Sequence, residues 1–191
     1  MMRLVRYCVM AVLISAAACA PDPVHERAVE RLGEESAAGP SEFHRAGQPC
    51  ATCHNAKNGP AQSDFSVAGT VFERRASLVG LAGAGVVLVD SAGTSPVPVG
   101  TNCVGNFWIP RSLWNPVLPI VSVRVTKNGV TREMKSPIGG AASCADCHQT
   151  RTSPEDRLTK MGAIFVFDEG NPAPAPAPAP ACPVDPVLRS P

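Results

Sequence analysis

The stretch VSVRVTKNGVTREM, residues 121–134, predicts a β-hairpin and with it a mainly β fold. Its first arm alternates apolar and polar residues, which is typical of a strand with one buried face. The Asn-Gly pair in the middle favours a two-residue turn, because these residues adopt positive φ readily. Such a turn places Arg124 opposite Glu133 and Val123 opposite Met134. We therefore expect Met134 to pack into the core on the apolar face of the sheet.

Further strands are predicted on both sides of this hairpin. They cover residues 65–75, 85–90, 105–109 and 161–167, and clusters of Gly, Asn and Pro separate them. The chain contains 16 Gly and 20 Pro but only six Phe, two Trp and one Tyr, which argues against a large enzyme core. Short strands joined by such turns indicate a small β-sandwich.

The first 18 residues have the order of a secretory signal peptide. Arg3 and Arg6 precede an apolar run over residues 7–14, and small residues follow it up to Cys19. The sequence Ala-Ala-Ala-Cys resembles a bacterial lipobox, which implies cleavage before Cys19, lipidation of its thiol and attachment to a membrane. Cleavage to a soluble exported protein and retention of an uncleaved anchor are the alternatives. Export leads to an oxidising compartment, the periplasm or the outer envelope.

The charge balance excludes one class of partner. The chain has 17 basic and 16 acidic residues, for a net charge of +1. Removal of residues 1–18 deletes two Arg and no acid, so 15 minus 16 leaves the mature chain at −1. Because no strong field of either sign results, we expect no nucleic-acid partner.

Two copies of the pattern C-x-x-C-H carry the functional signal. They are Cys50-Ala51-Thr52-Cys53-His54 and Cys144-Ala145-Asp146-Cys147-His148. This pattern is the attachment signature of c-type haem. Two thiols three residues apart lie on one face of a helical turn, where they reach the two vinyl groups of a porphyrin. The following imidazole then binds the iron, so the sequence predicts two covalent haem c groups with His54 and His148 as proximal ligands.

Two other interpretations of these cysteines remain open. Four cysteines in two pairs are compatible with zinc, but the two pairs of a zinc ribbon are usually about 15 to 20 residues apart. Here 90 residues separate Cys53 from Cys144. The pairs are also compatible with disulfides or redox-active thiols in an exported protein, yet neither requires a His after each pair.

Candidate distal ligands are few. His44 lies six residues before Cys50, in a segment that resembles one helical turn with Ser41 as N-cap and Gly47 as C-terminal stop. In multihaem cytochromes a His just upstream of a motif often ligates a neighbouring haem, and by that resemblance His44 is a candidate ligand of either iron. A surface His or a partner of a haem propionate is the alternative.

Two further side chains are distal candidates. Met161 opens the last predicted strand, 13 residues after His148, and either caps the second haem or fills the core. His25 lies in a polar stretch that resembles a weakly ordered linker.

The strands between the motifs carry a second resemblance. The sequences VAGTV (67–71), GVVLVD (85–90) and TNCVGNF (101–107) resemble the carboxypeptidase regulatory-like or transthyretin-like module, a mostly non-catalytic sandwich of extracellular proteins. As a whole the chain resembles exported dihaem c-type cytochromes whose two C-x-x-C-H segments bracket such a module. The resemblance implies a small Ig-like or transthyretin-like sandwich, flanked by short helical and loop segments that bind haem c.

The predicted organisation follows from these motifs. It comprises a signal peptide (1–18), a linker (19–40), a first haem-binding segment (41–64), the β-sandwich (65–134), a second haem-binding segment (135–160), a closing strand (161–169) and a Pro/Ala-rich tail (170–191). Cys103 and Cys182 either form a mutual disulfide or leave Cys182 unpaired or bonded to another molecule. Trp108 and Trp114 are expected in the core or at its rim.

The favoured function is a dihaem carrier of single electrons, without catalytic activity, that serves other redox proteins of the cell envelope. The alternative is a haem peroxidase-like or gas- or redox-sensing protein with an open iron site. We recognise no distal acid–base group of the kind that peroxide chemistry needs. If the sandwich brings the two motifs together, the haems form one conducting pair; at opposite poles they would be independent centres.

Overall fold

Seven short strands make up the fold that the computed structural model describes, over residues 22–34, 41–75, 79–140, 143–148 and 161–168. In chain order they are β1 (Phe65–Phe72), β2 (Gly85–Asp90), β3 (Val99–Gly100), β4 (Asn106–Pro110), β5 (Ile120–Lys127), β6 (Val130–Glu133) and β7 (Ile164–Phe165). The predicted mainly β class is confirmed. Strand β3 was not predicted from the sequence, and β7 is shorter than the closing strand expected there.

The strands form the two sheets of a small sandwich. The first sheet has the order β4-β1-β7 and the second has the order β3-β2-β5-β6. Strand β1 runs antiparallel to β4 and parallel to β7. All neighbours in the second sheet are antiparallel; a two-residue turn joins β5 to β6, whereas β2 pairs with β5 across a long connection that contains β3 and β4.

The hairpin β5–β6 has the predicted register. Arg124 pairs with Glu133, and Asn128 and Gly129 both have positive φ in the turn. The backbone N–H of Met134 donates to the carbonyl of Val123, as the same register requires. The prediction that Met134 packs into the core is wrong, however. This residue is half-buried and lines a cavity, because the chain leaves the sheet directly after Glu133.

Apolar side chains from both sheets meet in one core. Its members are Val67, Val71, Leu81, Ala84, Val86, Leu88, Phe107, Ile109, Trp114, Ile120, Val125, Val166 and Phe167. Full burial of one large aliphatic or aromatic side chain contributes about 1.5–3 kcal/mol, so this cluster provides the main stabilisation of the sandwich. Trp114 belongs to the core, whereas Trp108 is half-buried at its rim.

Strand β1 is buried on both of its faces. Val67 and Val71 point into the core, and the alternation of a strand sends Thr70 to the opposite face. There the N–H of Gly47 donates to Oγ1 of Thr70 over 2.8 Å. This strand therefore connects the core to the segment that precedes the first C-x-x-C-H motif.

A buried carboxylate fixes one end of the sandwich. Asp90 is 1% exposed and accepts hydrogen bonds from Oγ1 and N–H of Thr94 and from the N–H groups of Ala92 and Val117. The bond from the Thr94 hydroxyl, followed by those from the backbone, holds the pKa of Asp90 below its ordinary value. This side chain joins the end of β2 to the loop before β5.

The N-terminal part forms a separate unit. Its described residues, 22–33, form the helix α1 (Pro23–Glu30) within the predicted linker, and this helix buries none of its residues. Asp22 caps this helix by accepting from the N–H of Val24 over 2.9 Å, and Pro23 occupies the first helical position. The predicted signal peptide with Cys19, and the Pro/Ala-rich tail with Cys182, lie outside the described residues.

Candidate functional site

The two C-x-x-C-H motifs fold into the same local structure. Each begins with a 3₁₀ turn, at Cys50–Thr52 in the first motif and at Cys144–Asp146 in the second. In each motif the N–H groups of the second Cys and of the His both donate to the carbonyl of the first Cys. This compact turn brings the two thiols and the imidazole of each motif to one local surface, as haem attachment requires.

The first motif opens into a cavity of about 430 Å³. Cys50, Cys53 and His54 line one part of this cavity, and His44 lines another. The ring centres of His44 and His54 are 5.9 Å apart. Two imidazoles on opposite sides of one metal, with metal–nitrogen bonds of about 2 Å, have ring centres about 6 Å apart. The donor set of this cavity therefore fits a haem iron held between the two histidines.

Polar contacts from the sandwich hold His44 in this position. The side-chain amide of Asn106 donates to the carbonyl of His44 over 3.0 Å and accepts from the hydroxyl of Thr70 over 2.7 Å. Asn102 donates to the carbonyl of Glu42 over 2.6 Å. The expected helical turn at residues 41–47 is instead a series of tight turns, which Gly47 ends with a positive φ.

Aromatic rings form the apolar side of the first cavity. The imidazole of His54 stacks on Phe65, with ring centres 4.2 Å apart, and Phe65 in turn stacks on Trp108 at 6.1 Å. These three rings connect the motif to the edge of the first sheet. Stacking on Phe65 restricts rotation of the His54 ring and so maintains its orientation.

The second motif opens into a separate cavity of about 350 Å³. Cys144, Cys147 and His148 line it together with Met134 and Met161. Its rim carries the guanidinium groups of Arg75 and Arg132, which lie 5.2 and 5.6 Å from the ring centre of Phe165. Arg132 pairs with the carboxylate of Asp168, and Arg75 adds a second positive charge at this cavity.

Each of the three histidines is oriented through its Nδ1 atom. Nδ1 of His54 is 2.7 Å from the hydroxyl of Ser63, and Nδ1 of His148 is 2.9 Å from the carbonyl of Gly162. Nδ1 of His44 contacts the carbonyl of Ser41. Metal-ligating histidines typically donate one ring N–H to an oxygen in this way, so that the other nitrogen, Nε2, faces the metal.

Both motifs pack against strand β1. Ser143, directly before the second motif, forms a parallel bridge with Ala68, while the segment before the first motif donates to Thr70. Gly69, which lies between Ala68 and Thr70 in the strand, contacts Cys144. Phe107 on the neighbouring strand β4 is 2% exposed and lines both cavities. The two motifs are thus neighbours in space, although 90 residues separate Cys53 from Cys144 in the sequence.

Partial burial raises the pKa of two of the motif thiols. Desolvation raises the pKa of Cys50 to about 11 and the pKa of Cys144 to about 12. Cys50 and Cys144 are close enough that a negative charge on Cys50 adds to the increase at Cys144. Redox-active thiols usually have a lowered pKa, so these values argue against the redox interpretation. In the described residues, none of the four motif cysteines forms a disulfide.

The remaining candidates from the sequence have different outcomes. His25 belongs to the separate N-terminal unit. Met161 lies beside the second motif, where its backbone bridges that of His148. Cys103 is disulfide-bonded, and Cys182 lies outside the described residues.

Sequence reasoning missed several residues of the two sites, including Gly69, Asn106, Phe107, Arg75 and Arg132. Gly69 and Asn106 both belong to the stretches that suggested the sandwich module, but nothing in their spacing indicates contact with a C-x-x-C-H motif. The pairing of β1 with β4 and the bridge between Ala68 and Ser143 bring them to the sites.

Comparison of the chain with protein-family models, with curated proteins and with solved structures gave no match.

In the described part of the chain, no three His, Cys, Asp or Glu side chains converge as candidate ligands of a single metal ion. A haem iron does not need such a cluster, because the porphyrin supplies four nitrogens and the protein only one or two ligands. No α-helix in that part is long and apolar enough to cross a membrane.

Proposed function

We propose that this protein is an exported dihaem c-type cytochrome that carries single electrons in the periplasm or at the cell envelope. The observation that carries the proposal is the pair of C-x-x-C-H turns, which share one hydrogen-bond pattern and pack on one strand. Each turn adjoins its own cavity and has an imidazole held through Nδ1. Such an arrangement suits two covalently bound haem groups.

The four motif thiols have one role in this proposal. Each S–H adds across a vinyl group of the porphyrin, which forms a thioether and consumes no oxidant. The raised pKa of the half-buried Cys50 and Cys144 is compatible with that addition, because the thiol hydrogen ends on the former vinyl carbon. Cys53 and Cys147 provide the second thioether at each site.

The imidazoles and the arginines have the remaining roles. His54 and His148 bind iron through Nε2, and His44 is the distal ligand at the first site. Each bound haem supplies one iron that cycles between Fe(III) and Fe(II). Arg75 lies at the second cavity, where its positive charge suits the propionates, and Arg132 at the same cavity pairs with Asp168.

The closeness of the two sites favours one conducting unit. Phe107 lines both cavities, and strand β1 contacts the segments that precede both motifs. Since electron tunnelling falls steeply with distance, neighbouring porphyrin edges exchange electrons faster than centres at opposite poles would. The β-sandwich is then the rigid scaffold that fixes this distance, and we assign it no catalytic role.

The proposed location follows from the N-terminal sequence. A lipidated Cys19 anchors the protein to the membrane, and residues 20–40 separate that anchor from the haem sites. A disulfide at Cys103 is typical of an oxidising compartment. The partners are other redox proteins of the envelope, and the near-neutral charge does not favour nucleic acid.

Haem stoichiometry tests the proposal. The full chain is produced in cells that can mature c-type cytochromes, and its mass is measured after denaturation. We expect two added porphyrins in the wild type and one in each of the double variants C50A/C53A and C144A/C147A. Colourless protein, or zinc bound at these sulfurs, would overturn the proposal. Two haems of which one is high-spin with an exchangeable ligand would instead favour a peroxidase-like or gas-sensing protein.

A further inference from the structure

The two cavities offer different second ligands to an iron. In the first cavity His44 faces His54 at a ring-centre distance of 5.9 Å. Among the described residues that line the second cavity, His148 is the only histidine, and two thioether side chains, Met134 and Met161, accompany it. Methionine sulfur is a common second ligand of haem iron and raises its reduction potential. The choice between the two methionines therefore matters for function.

Met161 lies on the same wall of the cavity as His148. The two residues form a parallel β-bridge, and the N–H of Met161 donates to the carbonyl of Cys147 over 2.9 Å. Side chains at paired positions of a ladder project to the same side of it. Axial ligands must approach an iron from opposite sides, so a residue paired with His148 is poorly placed to face it. Met161 is also 54% exposed.

Met134 lines the second cavity from a different segment of the chain. It follows strand β6 directly and is hydrogen-bonded through its N–H to the carbonyl of Val123 over 3.0 Å. Val123 and Ile138 line the same cavity and pack against the core, so the wall around Met134 is apolar and supported. Unlike Met161, Met134 is half-buried, as expected for a side chain directed into a cavity.

We propose that Met134 is the distal ligand of the iron at the second site, opposite His148. This inference rests on the proposed function, since it assumes haem at both motifs. The two sites are then unequal, with His44 and His54 at the first iron and His148 and Met134 at the second. Because a thioether favours Fe(II) more than an imidazole does, the second site has the higher reduction potential. An electron shared by the pair resides mainly at the second site.

The two methionines provide a matched pair of variants for the test. Met134→Leu and Met161→Leu are made in the full chain, and covalent haem content is measured for each. The readouts are the sulfur-to-iron charge-transfer band of the ferric protein and the two reduction potentials from a spectroelectrochemical titration. We expect one such band in the wild type and in M161L, and its loss in M134L. The higher of the two potentials falls in M134L and is unchanged in M161L.

Other outcomes overturn the inference. If the sulfur-to-iron band persists in M134L, or disappears in M161L, Met134 is not the ligand that produces it. A wild-type protein with two haems and no such band also refutes the role of Met134 while the proposed function stands. A wild-type protein with fewer than two haems refutes the proposed function itself. If M134L fails to fold, Met134→His retains a ligand at this position, and we expect it to replace the band by a second bis-histidine spectrum.

Discussion

Gly69 lies directly against Cys144, so closely that a Cβ atom on Gly69 would be 2.9 Å from both Cβ and Sγ of that cysteine. The same atom would be 3.1 Å from the ring of Phe107. Phe107 packs in the core and lines both cavities, so it has little freedom to move. The second C-x-x-C-H turn can therefore pack against strand β1 because residue 69 has no side chain.

Substitution of Gly69 by Ala should impair the second site selectively. We expect the added methyl group to displace Cys144 and to lower the free energy of unfolding by about 1–3 kcal/mol, as overpacking typically does. The variant should carry one haem in most molecules, attached at the first motif, which mass spectrometry of haem peptides can establish. Gly100→Ala is the control, because no atom lies within 4 Å of a Cβ at Gly100 in strand β3. Equal haem content in the two variants would contradict the packing argument.

Removal of the His44 imidazole should convert one haem from low spin to high spin. In His44→Ala the iron at the first motif loses the ring that faces His54, so water or no ligand takes its place. Electron paramagnetic resonance should then show about half of the original low-spin signal. His25→Ala, in the separate N-terminal unit, should leave the spectrum unchanged. An unchanged spectrum in H44A would remove His44 from the ligand set.

Asn106 should act on the same iron without touching it. This side chain is 7% exposed, donates to the carbonyl of His44 and accepts from Thr70. In Asn106→Ala the buried hydroxyl of Thr70 loses its acceptor and the half-buried carbonyl of His44 loses a donor, at a cost of about 1–3 kcal/mol. We expect a lower Tm and a partial rise in high-spin haem at the first site, with the second site unaffected. Asn58→Ala, at an exposed position, is the control and should change neither the Tm nor the spectrum. If Asn106→Ala lowers the Tm without any spectral change, the role of Asn106 is structural only.

Much of this architecture follows from local sequence signals. The Asn-Gly turn and the alternation before it fix the register of the β5–β6 hairpin, because a two-residue loop allows only one set of opposite residues. The C-x-x-C-H spacing likewise indicates which residues form each turn. These signals act within a few residues of each other, and so they can be recognised without knowledge of the tertiary structure.

Long-range placement could not be predicted in the same way. The facing of His44 and His54 depends on Asn106, which is contributed by a strand that lies 62 positions after His44 in the sequence. The contact of Gly69 with Cys144 depends on a parallel bridge between Ala68 and Ser143. Met134 was expected in the core because alternation along a strand indicates which face of the sheet a residue occupies. Alternation does not indicate where the sheet ends. Each of these features arises from packing between segments that are far apart in the sequence. A local sequence pattern does not show which of these segments contact each other.

The buried carboxylate of Asp90 should make stability depend on pH. Its hydrogen bonds hold the pKa in the folded state below the ordinary value of about 3.9. A group with a depressed pKa stabilises the folded state above its unfolded pKa, and this contribution is lost as the pH falls through the folded value. We expect Asp90→Asn to lower the Tm at pH 7, with a difference from wild type that shrinks as the pH falls below about 4. Glu26→Gln, at an exposed position, is the control and should show no such trend. If the difference in Tm between D90N and wild type stays constant over this pH range, the effect comes from lost packing rather than from charge.

Membrane attachment through Cys19 can be separated from haem binding with the two N-terminal cysteines. Cys8 and Cys19 both precede the described residues, but only Cys19 follows the small residues of the lipobox-like sequence. A thioether-linked lipid at Cys19 should keep the protein in the membrane fraction, whereas Cys19→Ala should release it with its haem content unchanged. Cys8→Ala should remain in the membrane fraction, because position 8 lies in the apolar part of the signal. Retention of both variants in the membrane would indicate an uncleaved anchor, and release of the wild type would indicate a soluble exported protein.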